Sequence, residues 1–201
     1  MKVVVYDLNK TLYRESSKDE FFKFICYKRN YKILNLIELG WYKFMGKLRL
    51  ITKTEFKENF YNYLKGLDPQ TVKKYARQFW DMEYPEKFRS YMIDDIKKFH
   101  DAGIKVYVIT GGFEVYTKYL EELLPVKILG TRTEYENGNY KVIGKACNDQ
   151  EKLKRLGEDT NGNYQIIEAY SDDKEEILFN AEKGYFLNDD KLELVTESEK
   201  H

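Results

Sequence analysis

The sequence predicts an α/β fold, a three-layer parallel sheet with an all-helical cap inserted between the first and second core strands. Short β-branched runs alternate with helical segments, a pattern typical of parallel sheets covered by helices on both faces. The helical stretch after the first strand, from 17 to about 82, is too long for a simple crossover and therefore predicts a cap. At 201 residues, the chain has room for one core domain and a small insert.

The first strand is predicted over residues 2–6, because Val3-Val4-Val5 is a β-branched run of the kind buried in parallel sheets. The stretch from 17 to about 82 is rich in Lys, Glu, Leu and aromatic residues and lacks strand alternation, so it predicts helices. Asp68-Pro69 begins one of them, with Asp68 as N-cap and Pro69 at the first helical position.

The remaining elements belong to the core. Glu136-Asn137-Gly138-Asn139 separates two strand-like runs and predicts a hairpin. In chain order, the other predictions are a helix from Pro85 to about 100, a strand over 105–109, a helix over about 113–124, a strand over 126–129, a helix over about 148–157, a strand over 164–169, a helix to about 182, a last core strand over 184–187 and a polar tail from 196. Residues 1–15 and 84–201 therefore form the predicted core domain, and residues 16–83 the predicted cap.

Composition indicates an ordinary globular protein, with 42% hydrophobic and 34% charged residues and a net charge of zero. This charge balance gives no indication of a nucleic-acid partner. The two cysteines, Cys26 and Cys147, are expected to be reduced and non-catalytic. The N-terminus is already a strand, and no run of 18 apolar residues is present, so we expect a cytoplasmic protein without a signal peptide or spanning helix.

The segment over residues 21–51 is strongly basic and aromatic. It holds seven basic residues against one acid, Glu38, which is a local balance of +6, together with eight aromatic residues. Such a mixture suits peripheral contact with an anionic membrane. The alternative is a cap helix whose aromatic residues pack inward while its lysines stay solvated.

Two carboxylates are predicted at strand ends, where doubly wound sheets bind ligands. Asp7 ends the first strand, and Asp172 follows the strand over 164–169. Because converging carboxylates repel each other, a cation between them is expected, and Mg²⁺ prefers oxygen ligands. Thr110 offers a hydroxyl, and Gly111 allows a phosphate oxygen to approach its backbone N–H closely.

Four segments, in order, resemble the motifs of the haloacid dehalogenase (HAD) superfamily, and together they span residues 2 to about 188. These segments are Asp7–Thr11 for motif I, Val106–Gly112 for motif II, Gly144–Leu153 for motif III and Tyr170–Glu176 for motif IV. Their spacing is closest to the phosphoserine phosphatase-like branch, which has a Rossmann-like core and a helical cap between motifs I and II. Within that branch, the stretch from Gly130 to Leu153 is similar to phosphatidylglycerophosphatase C-type members.

The resemblance implies a Mg²⁺-dependent phosphomonoester phosphatase that works through an aspartyl-phosphate at Asp7. It implies that Asp7, Asp172 and the main-chain carbonyl of Asn9 bind Mg²⁺. Thr110, Gly111 and Lys145 would bind the phosphate, and Asp173 and Glu176 would be supporting acids. Lys145 would be the fixed cation that screens nucleophile and phosphate. Glu175 stands where the branch often has Asn, and because its carboxylate would repel phosphate, it is not predicted to be a ligand.

Asn9 is the largest departure from the resemblance, since motif I usually has an acid there that protonates the leaving oxygen and then activates water. An amide cannot do this, and general acid–base help is commonly worth about 10²–10⁴-fold. Asn9 is either an introduced change or the natural residue of an atypical member, so turnover is expected to be slow or blocked. The substrate is expected to be an anionic, lipid-linked phosphate. The alternatives are a soluble phosphometabolite such as phosphoserine, or a catalytically retired domain that binds a phosphorylated ligand or a protein partner.

Overall fold

The computed structural model describes residues 1–29 and 61–195. Predictions for residues 30–60, which hold most of the basic aromatic segment, and for the tail from 196 lie outside the described residues. The observed architecture confirms the predicted fold class, a mostly parallel sheet with helices on both faces.

The described part of the chain contains eight strands. They are β1 (Lys2–Tyr6), β2 (Lys105–Phe113), β3 (Lys127–Thr131), β4 (Thr133–Glu136), β5 (Asn139–Val142), β6 (Gln165–Ser171), β7 (Lys183–Asn188) and β8 (Lys191–Leu194). Six of them form the main sheet, in the order β3-β2-β1-β6-β7-β8. All neighbours in that sheet pair in parallel except β7 and β8, which form an antiparallel hairpin at the sheet edge. The predicted hairpin is confirmed, because β4 and β5 pair antiparallel, apart from the main sheet.

The helices are α1 (Ser17–Lys28), α2 (Pro69–Glu83), α3 (Ser90–Asp101), α4 (Glu114–Thr117), α5 (Leu120–Leu123), α6 (Gln150–Thr160) and α7 (Glu176–Phe179), with a 3₁₀ turn over Tyr61–Leu64. Between β1 and β2, the described chain is mainly helical, as predicted. The predicted start of α2 is confirmed, because the Asp68 carboxylate accepts the backbone N–H groups of Gln70 and Thr71 at 3.0 Å each.

The strand period divides the core between the two faces of the sheet. On β1, Val4 and Tyr6 point into a large cluster that contains the cap aromatics and α3. Val3 and Val5 point into a smaller cluster with Leu156 of α6 and the α7 residues. The sheet therefore forms the middle of three layers.

Several element predictions differ from the structure. The helix predicted from Pro85 begins at Ser90, and the strand predicted over 105–109 continues to Phe113. The edge strand β8 was not predicted, and it makes the sheet mixed rather than purely parallel. The helix predicted over 113–124 is two short helices, because the backbone between them tightens to i→i+3 hydrogen bonds such as Glu121 N–H to the Lys118 carbonyl. The helix predicted to about 182 ends at Phe179, where the chain turns toward β7.

Among the described residues, no helix combines the length and apolar character needed to cross a bilayer. On α1, Phe21 and Phe24 are buried, while Lys23, Tyr27 and Lys28 are exposed. The described start of the basic aromatic segment thus turns two of its aromatic residues inward. The other residues of that segment from 30 onward, including Trp41, lie outside the described residues.

Candidate active site

The candidate site lies at the carboxyl ends of three adjacent strands, β2, β1 and β6. Asp7 follows β1, Thr110 lies on β2 and Asp172 follows β6. These strands are neighbours in the sheet although their residues are far apart in sequence, so the topology brings the three positions to one edge. A cleft of about 600 Å³ opens there, lined by Asp7, Asn9, Lys10, Ser16, Lys18, Tyr61, Gly111, Gly112, Asn148, Asp149, Lys152 and residues 171–175.

A buried lysine joins two carboxylates at the floor of this cleft. The Lys152 ammonium lies 2.6 Å from Oδ1 of Asp7 and 2.6 Å from Oε1 of Glu175. Burial opposes its charged form, but the two carboxylates outweigh that effect and raise the pKa of Lys152. Burial also raises the pKa of Glu175, against the opposing effect of Lys152. Lys152 therefore stays protonated and fixes one oxygen of Asp7.

The lysine that contacts Asp7 is Lys152, and not Lys145, which the sequence predicts for this place. Lys145 is exposed and is not among the residues lining the cleft. Its loop precedes α6, whereas Lys152 lies on the first turn of α6 and is buried. Arg155 and Leu156, three and four residues further along the helix, are buried on the same face.

Glu176 also lies elsewhere than predicted. It is an exposed residue that begins α7 and does not line the cleft. Its neighbour Glu175 is the acid that reaches the site, where it accepts hydrogen bonds from Lys152 and from the Ser171 hydroxyl at 2.8 Å. Asp173 does line the cleft, and its backbone N–H donates to Ser171 Oγ at 3.2 Å.

Thr11 connects motif I to Asp172. The Asp172 backbone N–H donates to Thr11 Oγ1 at 2.9 Å, and that hydroxyl donates to Asp172 Oδ1 at 3.2 Å. Burial raises the pKa of Asp172, and the nearby charges of Asp7 and Asp173 add to this effect. Asp172 is thus held in place beside other carboxylates, where a cation would relieve the repulsion.

Asn9 uses both ends of its amide. Its Oδ1 accepts the backbone N–H of Ser17 at 2.8 Å, at the start of α1. Its Nδ2 donates to Thr110 Oγ1 at 3.3 Å. The Asn9 amide therefore connects the first cap helix to β2, with its oxygen as acceptor and its nitrogen as donor.

Two glycines of β2, Gly111 and Gly112, line the cleft, whereas the preceding Thr110 is not among its lining residues. Thr110 is fully buried, and its Oγ1 accepts the Gly112 N–H at 3.1 Å as well as the Asn9 amide. A Cβ on Gly112 would come within 2.7 Å of the Tyr116 hydroxyl, which is itself buried, so this position favours glycine.

The oxygen donors present suit Mg²⁺. Within residues 1–29 and 61–195, no group of three or more His, Cys, Asp or Glu side chains is arranged to hold a metal ion. The carboxylates of Asp7 and Asp172 are the side chains that could bind a metal ion here. The main-chain carbonyl of Asn9 is a third oxygen donor, expected from the sequence. Mg²⁺ commonly binds through one or two carboxylates and retains several waters. The raised pKa of Asp172 is consistent with a place for positive charge.

Sequence reasoning missed Lys152, Glu175 and Thr11 as site residues. Lys152 carried a signal, since it occupies the buried face of an amphipathic helix at spacings of three and four residues from Arg155 and Leu156. The place of Glu175 depends on the long-range pairing with Lys152, which no local pattern shows.

The family model of the haloacid dehalogenase-like hydrolases matches residues 4–179. A search among curated proteins found no significant match.

Several solved structures share the fold. A Bordetella pertussis Tohama I protein of unknown function has a TM-score of 0.73 and 16% identity, over 88% of this chain and 84% of that one. A phosphoserine phosphohydrolase-like protein from Francisella tularensis subsp. tularensis SCHU S4 has a TM-score of 0.60 and 16% identity, over 91% and 85%. A probable phosphoserine phosphatase from Vibrio cholerae has a TM-score of 0.60 and 17% identity, over 90% of this chain and 54% of that one.

Proposed function

The chain belongs to the haloacid dehalogenase-like hydrolase family, and we propose that it is a Mg²⁺-dependent phosphomonoester phosphatase with Asp7 as its nucleophile. The observation that carries this proposal is the buried pair of Asp7 and Lys152, 2.6 Å apart, at the end of the first strand. A carboxylate held in one orientation by a fixed cation is suited to attack phosphorus. The phosphoserine phosphatase-like names of two structural neighbours support the same reaction class.

In the proposed first step, a carboxylate oxygen of Asp7 attacks the phosphorus atom while the bond to the leaving alcohol oxygen breaks. The products are an aspartyl-phosphate and the alcohol, whose oxygen must gain a proton. In the second step, water attacks the phosphorus, releases inorganic phosphate and restores the Asp7 carboxylate. Lys152 keeps Asp7 oriented throughout and places positive charge beside the incoming phosphate, while Glu175 holds Lys152 in turn.

The remaining groups would bind the phosphate and a metal ion. Thr110 and Gly111 would bind phosphate oxygens, and Asp7, Asp172 and the Asn9 carbonyl would hold Mg²⁺. When bound, Mg²⁺ would neutralise negative charge on the phosphate and its carboxylate neighbours. Thr11 orients Asp172 for this role through its two hydrogen bonds.

Asn9 makes the proposed enzyme slow. Its amide has no proton to give at neutral pH, and both ends already bond to Ser17 and Thr110. The leaving group and the attacking water therefore lack the usual acid–base help, and turnover depends on water or on a leaving group that needs no proton. A phosphotransferase that protects its intermediate from water is compatible with the same chemistry.

The substrate class we favour is an anionic phosphate. Beyond Lys152, three lysines line the cleft, namely Lys10, Lys18 and Lys174. A lipid-linked phosphate is supported by the +6 charge balance of residues 21–51. A soluble phosphometabolite is supported by the buried positions of Phe21 and Phe24, which leave fewer aromatic rings for a membrane, and by the phosphoserine-type neighbours.

A phosphatase screen of the protein and its Asn9→Asp variant tests the proposal. The carboxylate introduced at this position can still accept the Ser17 N–H, so the fold is retained, and the restored acid–base group is expected to raise turnover by about 10²-fold or more. The panel contains phosphoserine, sugar phosphates and phosphatidylglycerophosphate in mixed micelles. Selective gain on the micellar substrate favours the lipid, and selective gain on the soluble esters favours the phosphometabolite.

A third hypothesis is a catalytically retired domain that binds a phosphorylated ligand or a protein partner. Asn9 is the feature in its favour. The buried Asp7–Lys152–Glu175 arrangement and the Thr11–Asp172 contact argue against it, because a domain released from catalysis has no need of them. If neither the wild-type protein nor a folded Asn9→Asp variant hydrolyses any ester of the panel above background, the retired-domain hypothesis is favoured.

A further inference from the structure

Arg89 binds three consecutive carbonyls of the loop that follows Asp7. Its Nη1 donates to the Lys10 carbonyl at 2.9 Å and to the Thr11 carbonyl at 2.6 Å. Its backbone N–H donates to the Leu12 carbonyl at 3.0 Å. One residue thereby satisfies the main chain of the loop over three successive positions.

This loop needs external support because its backbone is unusual. Lys10 has a φ of 59°, in the left-handed region that a non-glycine residue enters at a cost. The loop also folds back on itself, since the Leu12 and Tyr13 N–H groups donate to the carbonyls of Asp7 and Leu8 at 3.3 and 2.8 Å. Arg89 donates to the carbonyls of Lys10, Thr11 and Leu12, which this turn does not use.

The Arg89 charge is buried and is balanced by the distant β7–β8 hairpin. Its side chain is 8% exposed, and its Nε and Nη2 donate to Oδ1 of Asp190 at 3.0 and 2.6 Å. Asp190 lies at the hairpin tip with a φ of 66°. The Arg89 guanidinium therefore joins the loop after Asp7 to the edge of the sheet. Its planar set of donors can bond to both at once, which a lysine ammonium cannot do in this geometry.

The loop that Arg89 supports carries two groups of the candidate site. Asn9 directly precedes Lys10, and Thr11 holds Asp172 through its hydroxyl. A shift of the Thr11 main chain would move the Asp172 carboxylate, and a shift at Lys10 would reorient the Asn9 carbonyl.

We propose that Arg89 is a positioning residue that sets the geometry of the Asp7 loop for phosphoryl transfer, with Asp190 as its anchor. This inference rests on the proposed phosphatase function. Arg89 does not touch the phosphate in this account; it acts through the main chain of residues 10–12. The hairpin containing β8, which the sequence did not predict, thereby gains a part in the chemistry.

The test compares Arg89→Lys with Arg14→Lys. Arg14 is a matched control because it also pairs with Asp190, at 3.5 Å, but its exposed side chain is not a partner of the Lys10 or Thr11 carbonyl. Arg89→Lys keeps the positive charge but loses the planar set of donors. The Asp7 loop should then shift, so we expect the affinity for BeF₃⁻ with Mg²⁺ to fall by about tenfold, because positioned groups lose effect when they are misplaced. Arg14→Lys is expected to bind as the wild type does.

Amide hydrogen exchange at Leu12 and Tyr13 gives a second readout that needs no ligand. Arg89→Lys should speed exchange at these two amides while the strands exchange as before. Unchanged affinity for BeF₃⁻ in a folded Arg89→Lys protein, or unchanged exchange at both amides, would overturn the proposal. If Arg89→Lys does not fold, Asp190→Asn replaces it, with the same expected direction and the same overturning results.

Failure of the proposed function is separable from failure of this inference. If the wild-type protein itself does not bind BeF₃⁻ with Mg²⁺, the phosphatase account fails, and the exchange measurement alone then judges whether Arg89 sets the loop.

Discussion

At the scale of single residues, the site depends on which group neutralises Asp7. Two carboxylates, Asp7 and Glu175, meet at one buried ammonium, with the Lys152 side chain 6% exposed. Buried charges are tolerated when they are paired, and removing one partner leaves the others uncompensated. Lys152 is therefore expected to matter both for folding and for chemistry.

Substitution of Lys152 by Met tests this expectation against Lys145→Met. Lys152→Met should lower the free energy of unfolding by about 3 kcal/mol, because it leaves two buried carboxylates facing each other. Lys145→Met should change it by less than about 0.5 kcal/mol, as exposed substitutions usually do. Urea unfolding of both variants measures the difference.

The same experiment has a pH dependence. Lys152 lowers the pKa of Glu175, so without Lys152 this pKa should rise further above its value in the unfolded chain. A carboxyl group whose pKa is raised on folding stabilises the protein in acid, and this stabilisation is lost as the pH rises through the folded pKa. The deficit of Lys152→Met is therefore expected to be smaller near about pH 5 than near about pH 8. A deficit that is equal at both pH values, or an equal loss in Lys145→Met, would contradict the assignment of the fixed cation to Lys152.

The comparison of Lys145 with Lys152 shows which site residues could be predicted from the local sequence. Asp7 and Asp172 directly follow their strands, as predicted, whereas Thr110 and Gly111 lie within β2, which continues to Phe113. The choice between Lys145 and Lys152 needed the turn that begins α6, where Asp149 takes a φ of 48° and redirects the chain. That backbone conformation has no clear signal in the residues around it.

At the scale of elements, the cap meets the core through α2 and α4. Trp80 of α2 is fully buried, and its indole N–H donates to the Tyr116 carbonyl of α4 at 2.7 Å. Its ring packs against Tyr13 at 5.3 Å between centroids, and against Phe79 at 4.7 Å. The Tyr116 hydroxyl in turn shares hydrogen bonds with the Ser17 and Tyr61 hydroxyls, at 3.0 and 3.1 Å.

Truncation of Trp80 should therefore loosen the cap. Trp80→Ala is expected to cost about 3–5 kcal/mol of stability, because it opens a large cavity and leaves the Tyr116 carbonyl without the indole donor. Met82→Ala, on the same helix with Met82 60% exposed, serves as the control and should cost less than about 0.5 kcal/mol. Equal denaturation midpoints for the two variants would mean that this helix does not fasten the cap.

Element boundaries were predictable where a local stop signal exists. The Asp68-Pro69 start and the Asn137-Gly138 turn are both found where the sequence predicts them. The β7–β8 turn was missed because its central residues, Asp189 and Asp190, adopt positive φ without a glycine to announce it. Leu192 and Leu194 are also exposed, so β8 lacks the buried face that marks a strand.

At the scale of the whole molecule, the layer order and the helical stretch after β1 were predictable because strands and helices alternate along the chain. The Arg89–Asp190 contact and the Lys152–Glu175 pair were not, since they join elements distant in sequence. Lys152 of α6 contacts Asp7, and Arg89 joins the loop over residues 10–12 to Asp190 of the edge hairpin. We propose that this loop presents Asp7 as the acceptor of the phosphoryl group.

The most direct test is the thermal stability of the protein with BeF₃⁻ and Mg²⁺, compared between the wild type and Asp7→Asn. Because BeF₃⁻ mimics a phosphoryl group on a carboxylate, a ligand present at about 100 times its Kd should stabilise the wild type by about 2.7 kcal/mol, or roughly 5–10 °C in Tm. Asp7→Asn, which keeps the shape of the side chain but cannot take the phosphoryl group, should show no shift. An equal shift in both proteins, or none in the wild type, would contradict the assignment of Asp7 as the nucleophile.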